Sequence, residues 1–383
     1  LELSDTNSGV VLEGFVDPVD GSRDTVLDRG NTADGTAVFQ FTGGDDITIR
    51  GFGITGGSRG VTLDNVDSDR ITITGNEIFE NQIDGLLFSM VSMGSQGFGD
   101  AFVASDNDIW GNATGVSAYN SLATQVTITG NRVYANAGTG ISAEYNVLVA
   151  GNTVYGSGTG IYLNVGAVAR GNVVFDNTMG IEGYNPGTAI DSNRVYRNTT
   201  GILASSASAV IGNSVYSNST GIRLERYATG RVANNLVYAN TNTGVDAGSV
   251  YGSSETTAFS NNTVYQPVGN AVNVTGGYRI RLENNILWTD AGYAIAVDAN
   301  SQEGFSSDYN LFWNTAGGKV GQWEGIDFGT LLDWQFDVGL DAHSRFANPQ
   351  FIDPDGIDDV LAFSTTPIPG TSQVIDDGDA GFS

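Results

Sequence analysis

The chain has 383 residues, no cysteine, 53 glycines against seven prolines, and a formal net charge of −27. The lack of cysteine excludes disulfides and cysteine-based zinc sites, and the acidic charge argues against nucleic acid or an anionic membrane surface as a partner. No apolar run reaches the length of a membrane span, so we expect no membrane insertion. Leu1 opens directly on polar, β-like sequence, which favours a mature chain or an excised region.

A short sequence pattern recurs along most of the chain. The copies "GNTVYGSGTGIY" (151–162) and "GNVVFDNTMGIE" (171–182) are typical, and an asparagine precedes the V-Y-like pair in each copy. Neighbouring copies are 20 to 22 residues apart in the middle of the chain and up to 31 apart elsewhere. The recurring asparagines are Asn76, Asn107, Asn131, Asn152, Asn172, Asn193, Asn213, Asn235, Asn262, Asn285 and Asn310.

Each copy contains a β-branched run, the asparagine, the V-Y pair, a polar turn, and then a glycine with a second apolar strand. Three strands of this length fill about twenty residues and leave no room for a helix. Such a period predicts coils that stack on one another at about 4.8 Å, as in a parallel β-helix. We therefore predict an all-β, single-stranded parallel β-helix of about 11 coils, each with three short strands.

Individual positions of the repeat have predicted structural roles. A buried corner asparagine can bond its own copies on the adjacent coils. The glycine before the isoleucine suits a turn that needs positive φ; these are Gly115, Gly140, Gly160, Gly180, Gly201, Gly221 and Gly244. An aromatic column should form a stack, which we interpret as structural because it is uniform: Tyr134, Tyr155, Phe175, Tyr196, Tyr216, Tyr238, Tyr265 and Trp288.

Over roughly residues 30–315 the repeat resembles those of right-handed parallel β-helix proteins of the pectate-lyase-like superfamily. The tail motifs "DYNLFW" (308–313), "LLDWQ" (331–335) and "DAHSRFANPQFIDPDG" (341–356) are similar to the C-terminal closure of bacterial secreted β-helix proteins. The resemblance implies a right-handed helix over residues 1–315 and a capping segment over 316–383 that covers an open sheet edge. His343 lies in that cap motif, and we interpret it as structural.

Function is expected where outward positions of the repeat vary. In the "G-I-x-x-x" strand, the second and fourth residues after the glycine are predicted to point outward. The predicted outward pairs are Ser117/Tyr119, Ser142/Glu144, Tyr162/Asn164, Glu182/Tyr184, Leu203/Ser205, Arg223/Glu225 and Asp246/Gly248. Coils spaced at about 4.8 Å match roughly one sugar per coil, so a polysaccharide can lie along this face.

The outward residues supply the candidate site. The predicted catalytic residues are Arg223, Glu182 and Glu144, and the predicted substrate-binding residues are Tyr119, Tyr162, Asn164, Tyr184, Glu225 and Asp246. The tyrosines offer flat faces for sugar rings, the glutamates offer carboxylates, and the arginine offers a fixed cation. The alternative is that these are solvated residues on an ordinary β surface.

Two chemistries remain open from the sequence. Glu144 and Glu182 are two coils apart, which predicts a backbone separation of roughly 9–10 Å, near the upper end for inverting glycoside hydrolysis. The resemblance instead implies removal of the proton beside a uronate carboxylate by a Lys, Arg, His or Tyr base, often with calcium. Because Lys319 and His343 lie in or beside the predicted cap, the remaining candidate bases are Arg223, Tyr162 and Tyr184.

Calcium is the predicted cofactor. The turn "DNVDSD" (64–69) places the carboxylates of Asp64, Asp67 and Asp69 close together, and hard cations prefer such oxygen ligands. A similar run, "DPDGIDD" (353–359), lies in the cap motif, where a structural role is favoured.

We predict a secreted or cell-surface, carbohydrate-active monomer that acts on an acidic, uronate-containing polysaccharide as a calcium-assisted lyase. The first alternative is a non-catalytic β-helix rod or binding module of a larger cell-surface protein, which predicts a uniformly polar exterior. The second is an inverting glycoside hydrolase, which predicts two facing carboxylates without a metal.

Overall fold

The computed structural model describes residues 1–64, 68–90, 102–121, 125–206, 208–226, 230–250 and 256–351. The chain divides into two compact units, residues 1–193 and 194–383, and each is described by itself. Both units are built from short parallel strands that belong to three sheets. The parallel β-helix predicted from the sequence is confirmed.

In the N-terminal unit each strand pairs in parallel with the strand three positions later in the chain, because each coil contributes one strand to each sheet. A 3-10 turn, Asp5–Asn7, follows the first strand. The strands are β1 (Glu2–Leu3), β2 (Val11–Glu13), β3 (Thr25–Asn31), β4 (Ala37–Phe41), β5 (Thr48–Arg50), β6 (Phe52–Gly57), β7 (Arg59–Asp64), β8 (Thr72–Thr74), β9 (Glu77–Phe79), β10 (Asp84–Met90), β11 (Phe102–Ser105), β12 (Asp108–Trp110), β13 (Thr114–Asn120), β14 (Val126–Thr129), β15 (Arg132–Tyr134), β16 (Thr139–Tyr145), β17 (Val147–Ala150), β18 (Thr153–Tyr155), β19 (Thr159–Asn164), β20 (Val168–Arg170), β21 (Val173–Phe175), β22 (Met179–Tyr184) and β23 (Ala189–Asp191).

The C-terminal unit follows the same rule. Its strands are β24 (Arg194–Tyr196), β25 (Thr200–Ser205), β26 (Ala209–Ile211), β27 (Ser214–Tyr216), β28 (Thr220–Arg226), β29 (Arg231–Ala233), β30 (Leu236–Tyr238), β31 (Thr243–Val250), β32 (Thr257–Ser260), β33 (Thr263–Gln266), β34 (Asn270–Thr275), β35 (Ile280–Glu283), β36 (Ile286–Thr289), β37 (Tyr293–Val297), β38 (Ser306–Asp308), β39 (Leu311–Asn314), β40 (Lys319–Trp323), β41 (Ile326–Phe328) and β42 (Arg345–Phe346), with one helix, α1 (Leu331–Asp337), before the last strand. In both units, sheet 1 is the sheet that contains the "T-G-I" strands, such as β16 and β28.

The recurring asparagines form a buried ladder, as the sequence predicts. Asn152 is almost fully buried, and its Nδ2 donates to the Asn172 Oδ1 at 3.0 Å and to the Ile128 carbonyl at 2.9 Å. Its own Oδ1 accepts from the backbone N–H and the Nδ2 of Asn131, both at 2.9 Å. The amide therefore ties three successive coils together while satisfying every polar atom it buries.

A second buried ladder stands at the polar turn and was not foreseen from the sequence. Asn81 donates its backbone N–H to the Asn112 Oδ1 at 2.9 Å, and Asn112 donates in the same way to Asn136 at 3.0 Å. In the C-terminal unit Asn198, Asn218 and Asn240 continue the same pattern. The sequence does contain the pattern that predicts this second ladder: in these copies an asparagine stands five residues after the first ladder asparagine.

The glycine before the isoleucine has a different role from the predicted one. Gly115, Gly140 and Gly160 lie inside strands and do not have positive φ. A Cβ on Gly115 would approach the Gly140 carbonyl oxygen to 2.5 Å and a Val133 methyl to 2.7 Å, so glycine is required for close packing between coils. Positive φ occurs instead at the residue before the ladder asparagine, as at Gly151.

The aromatic column stacks within each unit, as the sequence predicts. Tyr155 stacks on Phe175 with ring centroids 4.8 Å apart and planes 8° apart, and both rings are half-buried. Tyr216 stacks on Tyr238 at 4.9 Å, and both rings are buried. Burial of Tyr216 and Tyr238 favours a structural role for the column in the C-terminal unit.

The C-terminal unit extends its coils past residue 315. Strand β40 pairs in parallel with β37, β42 pairs in parallel with β39, and β41 folds back antiparallel on β40. Helix α1 places the fully buried Trp334 against them. Residues 352–383, including the acidic run 353–359, lie outside the described residues, so the cap over 316–383 stays a prediction. In the described part of the chain, no helix is long and apolar enough to cross a membrane.

The hairpin of β40 and β41 contains an ion pair with a pH-dependent effect on stability. Hydrogen bonds from Lys319, Tyr293 and Gln322 lower the pKa of Asp327 from its usual 3.8 to about 2. Because the folded-state pKa is depressed, the stabilisation is complete above about pH 3.8 and is lost as the pH falls through about 2. We expect Asp327→Asn to lower the melting temperature slightly at pH 7, with an effect that shrinks as the pH falls towards about 2 and vanishes below it. Equal melting temperatures at pH 7 would contradict this expectation.

Candidate functional site

The outward register predicted for sheet 1 is confirmed in the N-terminal unit. In β13, Ser117 and Tyr119 are partly exposed, whereas Val116, Ala118 and Asn120 are buried. The same alternation occurs in β16, β19 and β22. It follows from the two-residue period of a strand with one face against a packed core.

Strand pairing arranges these outward residues in two columns. Each column contains one residue from each of five successive coils of the N-terminal unit, those of β10, β13, β16, β19 and β22. Column 1 consists of Leu87, Ser117, Ser142, Tyr162 and Glu182, and column 2 consists of Ser89, Tyr119, Glu144, Asn164 and Tyr184. Six of the nine predicted catalytic and substrate-binding residues therefore lie on one face of one sheet.

A groove of about 370 Å³ lies on this face. Its walls include two of the predicted residues, Tyr119 and Glu144. The sequence analysis missed the others that matter, Leu87 and Ser89 from β10, because no repeat glycine-isoleucine pair marks that strand. The groove thus combines an apolar side chain, an aromatic ring, hydroxyls and one carboxylate, which is a composition suited to a sugar ring.

Tyr119 is held in place by a second tyrosine. The rings of Tyr119 and Tyr145 meet edge to face with centroids 4.9 Å apart. A hydrogen bond with Tyr145 raises the pKa of the Tyr119 hydroxyl above its usual value. Tyr119 therefore stays protonated at neutral pH and presents a fixed ring edge with a hydroxyl donor.

Glu144 is oriented by the neighbouring coil. The Asn164 Nδ2 donates to a Glu144 carboxylate oxygen at 3.1 Å, and the Asn185 Nδ2 donates to the Asn164 Oδ1 at 2.7 Å. The two amides form a short relay along column 2 that fixes the carboxylate. Asn164, predicted to bind substrate, thereby also positions another predicted site residue.

Tyr162 lies between the two predicted catalytic carboxylates. Burial, and after it the negative charges of Glu144 and Glu182, raise the pKa of the Tyr162 hydroxyl. A tyrosine in this surrounding keeps its proton at neutral pH, which disfavours the role of base that the sequence analysis considered. Tyr162 pairs in register with Glu182, and Glu144 lies one coil earlier in the other column.

The separation of Glu144 and Glu182 is larger than the sequence estimate. The two residues are two coils apart and also belong to different columns, because Glu144 pairs with Asn164 and Tyr162 pairs with Glu182. Adding the offset along the strand gives roughly 11–12 Å between their backbones. The original estimate of 9–10 Å ignored that offset, and the wider spacing weakens the argument for inverting hydrolysis.

In the C-terminal unit, Arg223, Glu225 and Asp246 also lie on the outward face of sheet 1. The Arg223 Nε lies 2.8 Å from a Glu225 oxygen, and Asp246 lies opposite at 4.0 Å. The Asn273 Nδ2 donates to Asp246 at 3.2 Å. A guanidinium held by two carboxylates can orient a sugar acid as a fixed cation. It is less suited to accept a proton.

The predicted register is wrong at Ser205 in the C-terminal unit. Ser205 is buried, because β25 ends there and the Ser208 hydroxyl donates to its carbonyl.

A polar network next to the groove was also missed. Asp84 is almost buried and accepts from the Arg59 Nε at 3.0 Å and from the Ser117 hydroxyl at 2.6 Å. In the later "T-G-I" copies a threonine occupies this position, for example Thr114 and Thr139. The replacement of threonine by aspartate is a departure from the repeat that could have been found by alignment of the copies.

The predicted calcium site is only partly described. Asp64 ends β7, and Asp69 lies 4.0 Å from the Arg70 guanidinium, while Asp67 lies outside the described residues. Over the described ranges, no group of three or more carboxylates and imidazoles is placed to hold a metal ion. Because Asp67 is one of the three predicted ligands, the calcium site stays a prediction.

Two family models match the chain. The model described as "Right handed beta helix region" matches residues 142–287 and 180–328, and the model described as "Periplasmic copper-binding protein (NosD)" matches residues 4–167. Copper sites use histidine, cysteine or methionine, yet this chain has one histidine, no cysteine and three methionines. Its composition does not fit a copper centre. No curated protein matches the chain in sequence.

Several solved structures are similar in fold. A mannuronic acid-specific polysaccharide family 6 lyase from human gut microbiota has a TM-score of 0.51 and 13% identity, covering 82% of this chain and 82% of the lyase. The A-module of the mannuronan C-5 epimerase AlgE4 from Azotobacter vinelandii has a TM-score of 0.44 and 14% identity, covering 84% and 88%. Pectate lyase Pel9A has a TM-score of 0.30 and 14% identity, covering 65% and 70%. At such low identities the likeness concerns the fold alone.

Proposed function

Because the chain is a right-handed parallel β-helix of the pectate-lyase-like type, we propose that it binds an acidic, uronate-containing polysaccharide along sheet 1 of the N-terminal unit and cleaves it by β-elimination. The observation that supports this most is that Tyr162 lies in the coil between those of Glu144 and Glu182, next to a groove lined by Tyr119 and Glu144. We further propose that the protein is exported and acts as a monomer.

The proposed reaction needs one base and one acid. A base removes the proton from the carbon beside the sugar carboxylate, and a double bond forms to the next carbon. The bond from that carbon to the glycosidic oxygen breaks, and this oxygen takes up a proton. Glu182 is the proposed base, and Tyr162, which pairs with it in register, is the proposed acid because its hydroxyl keeps its proton.

Binding is assigned to the remaining residues of the face. Tyr119 and Tyr184 would contact sugar rings, and Asn164 would hold Glu144 against a sugar hydroxyl. In the C-terminal unit, Arg223 would bind a sugar carboxylate, with Glu225 and Asp246 fixing its guanidinium. These residues together combine aromatic rings with a small number of fixed polar groups, which is the usual composition of a small-molecule site.

Calcium stays a proposed cofactor, with Asp64, Asp67 and Asp69 as its proposed ligands. Bound calcium would neutralise a substrate carboxylate. A bound cation would favour binding, because an acidic polymer that approaches Glu144 and Glu182 is otherwise repelled by a chain of net charge −27.

The function is tested with a panel of polygalacturonate, polymannuronate and polyguluronate, each with added calcium and with chelator. We expect ultraviolet absorbance from unsaturated ends on at least one polymer, reduced by the chelator. New reducing ends without this absorbance would establish hydrolysis instead. Binding without any cleavage would favour the non-catalytic rod or binding module, and both results would refute the lyase.

Glu182→Gln is expected to lower kcat about 100-fold or more with little change in KM, since it removes a general base and keeps the shape of the side chain. Tyr162→Phe should lower kcat at least about 10-fold through loss of the acid. Initial rates of elimination are the measurement. Glu13→Gln, an outward glutamate paired with Arg50 on another sheet, is the matched control and should leave the rate unchanged. Full activity of Glu182→Gln would reject the site but not the reaction.

A further inference from the structure

The last coils of the C-terminal unit contain an unusual residue at a strained turn position. The residue before the ladder asparagine has a left-handed backbone in every coil, and ten of these residues are glycine, asparagine, aspartate or serine, for example Gly151 and Asn284. The eleventh is Tyr309, with φ of 58°. A left-handed backbone is costly for a bulky side chain.

Burial of the ring does not compensate for this cost. Tyr309 is 56% exposed, whereas the aromatic column inside the unit is covered. A strained backbone at an exposed residue, whose side chain adds little to core packing, indicates a functional role for that side chain. The tyrosine ring therefore needs an explanation other than folding.

The exposed ring is half of a two-ring platform. Tyr309 stacks on His343 from the next coil, with centroids 4.9 Å apart and planes 7° apart. His343 precedes Ser344, whose hydroxyl takes the place of the ladder amide by accepting from the Asn310 backbone N–H at 2.8 Å. The two rings thus occupy the same turn in consecutive coils.

Asp308 fixes the imidazole. The carboxylate accepts from the Tyr309 and His343 backbone N–H groups at 2.9 and 2.8 Å, and it lies 2.8 Å from the His343 Nδ1. Although burial opposes the effect, these hydrogen bonds lower the pKa of Asp308. With Nδ1 engaged, Nε2 points away from Asp308 and makes no hydrogen bond with the described residues.

The platform borders a groove of about 690 Å³, whose other walls include Asn284, Leu311 and Arg345. Arg345 pairs in register with Leu311, and its guanidinium makes no ion pair or hydrogen bond with any described residue. Several other outward arginines lie against carboxylates, as Arg132 does against Asp108 and Arg170 against Asp191. An available guanidinium in so acidic a chain is a ready partner for an anion.

We propose that this groove binds a single uronate residue of an acidic saccharide, with the sugar ring against the stacked pair of Tyr309 and His343 and the sugar carboxylate on Arg345. An exposed aromatic ring matches the apolar face of a pyranose, Asn284 offers hydrogen bonds for a hydroxyl, and one guanidinium matches one carboxylate. The site belongs to the C-terminal unit and does not depend on cleavage at the groove of the N-terminal unit.

The chain offers a local probe for this site. His343 is its one histidine, so the imidazole resonances of the full-length protein, labelled with 13C-histidine, report on this groove alone. We expect these resonances to shift and saturate on titration with a uronate trisaccharide. The carboxyl-reduced, neutral trisaccharide should bind at least 10-fold more weakly. Equal responses to the acidic and neutral sugars, or no shift with the acidic one, would overturn the proposal.

Three variants sharpen the result. Arg345→Gln should weaken the response at least 10-fold, while Arg231→Gln, which removes another exposed arginine without an ion pair to any described residue, should leave it unchanged. Tyr309→Gly should abolish the response and leave the melting temperature the same or higher, because glycine accepts the left-handed backbone. Wild-type binding by Arg345→Gln, or a lower melting temperature for Tyr309→Gly, would refute the argument. The response should persist in Glu182→Gln, which separates this site from failure of the proposed lyase.

Discussion

Asn262→Ala is expected to lower the free energy of unfolding by roughly 4 kcal/mol, because several buried polar groups lose their partners at once. The Asn262 Nδ2 donates to the Val232 and Ser260 carbonyls at 3.0 and 3.1 Å and to the Asn285 Oδ1 at 3.1 Å. Its Oδ1 accepts from the backbone N–H and the Nδ2 of Asn235 at 3.0 and 2.9 Å. Alanine removes all five bonds in a place that water does not reach.

The measurement is denaturant unfolding of the full chain, followed by circular dichroism. Asn242→Ala is the matched control, because Asn242 is exposed and its side chain has no hydrogen bond to the described residues. The same atoms are removed from both positions. A control that loses as much stability as Asn262→Ala would show that the ladder bonds contribute no more than an ordinary surface amide.

The sequence predicts the fold well because each coil repeats the same physical requirements. An asparagine such as Asn152 has to recur at one corner, since a lone buried amide would lack partners. Valine and isoleucine alternate with polar residues because one face of each strand is buried. A period of 20 to 22 residues therefore carries enough information to predict three sheets and the outward register.

One error arises where one residue type can satisfy two requirements. Gly115 could serve a positive φ or a close approach, and only coordinates show that its missing Cβ faces the Gly140 carbonyl. The spacing of Glu144 and Glu182 was underestimated for another reason: the predicted pairs already place them at different outward positions, and the estimate left out that offset along the strand. Only the error at Gly115 concerns three-dimensional neighbours that a one-dimensional period does not specify.

The outward register of the candidate site is predictable from the sequence, but its electrostatics are not. Outward variation predicts the face that carries Tyr119, Glu144 and Tyr162, and these three side chains do point outward. It does not reveal that Tyr162 keeps its proton, because that property depends on charges contributed by two other coils. The platform of Tyr309 and His343 was likewise assigned to a structural motif, since its exposure is visible only in the folded chain.

Trp334→Ala is expected to destabilise the C-terminal unit by about 4 kcal/mol, the usual cost of emptying a tryptophan site in a core. The indole is fully buried, meets Trp323 and Phe328 edge to face at 6.0 and 5.5 Å, and fits against Gly321, which has no side chain to displace it. Its Nε1 donates to a buried Asp341 oxygen at 2.9 Å.

Asp341 explains why this tryptophan matters for the end of the coil. Its carboxylate also accepts from the Ser307 and Ser344 hydroxyls and from the Asn310 Nδ2, so it receives the last amide of the asparagine ladder. A buried carboxylate is tolerated only while such donors surround it. Loss of the indole would remove one donor and admit water to the final coil.

Two variants remove the indole in steps. Trp334→Phe keeps one ring and loses the N–H together with part of the indole, so we expect a smaller cost of about 1–3 kcal/mol. Trp334→Ala should in addition expose the last strands as open edges and promote association, which light scattering during thermal unfolding would detect. If the alanine variant keeps the wild-type melting temperature and does not scatter, residues 331–337 do not protect this end. The predicted capping role of the segment after residue 315 would then fail, while the repeat that builds the coils would be unaffected.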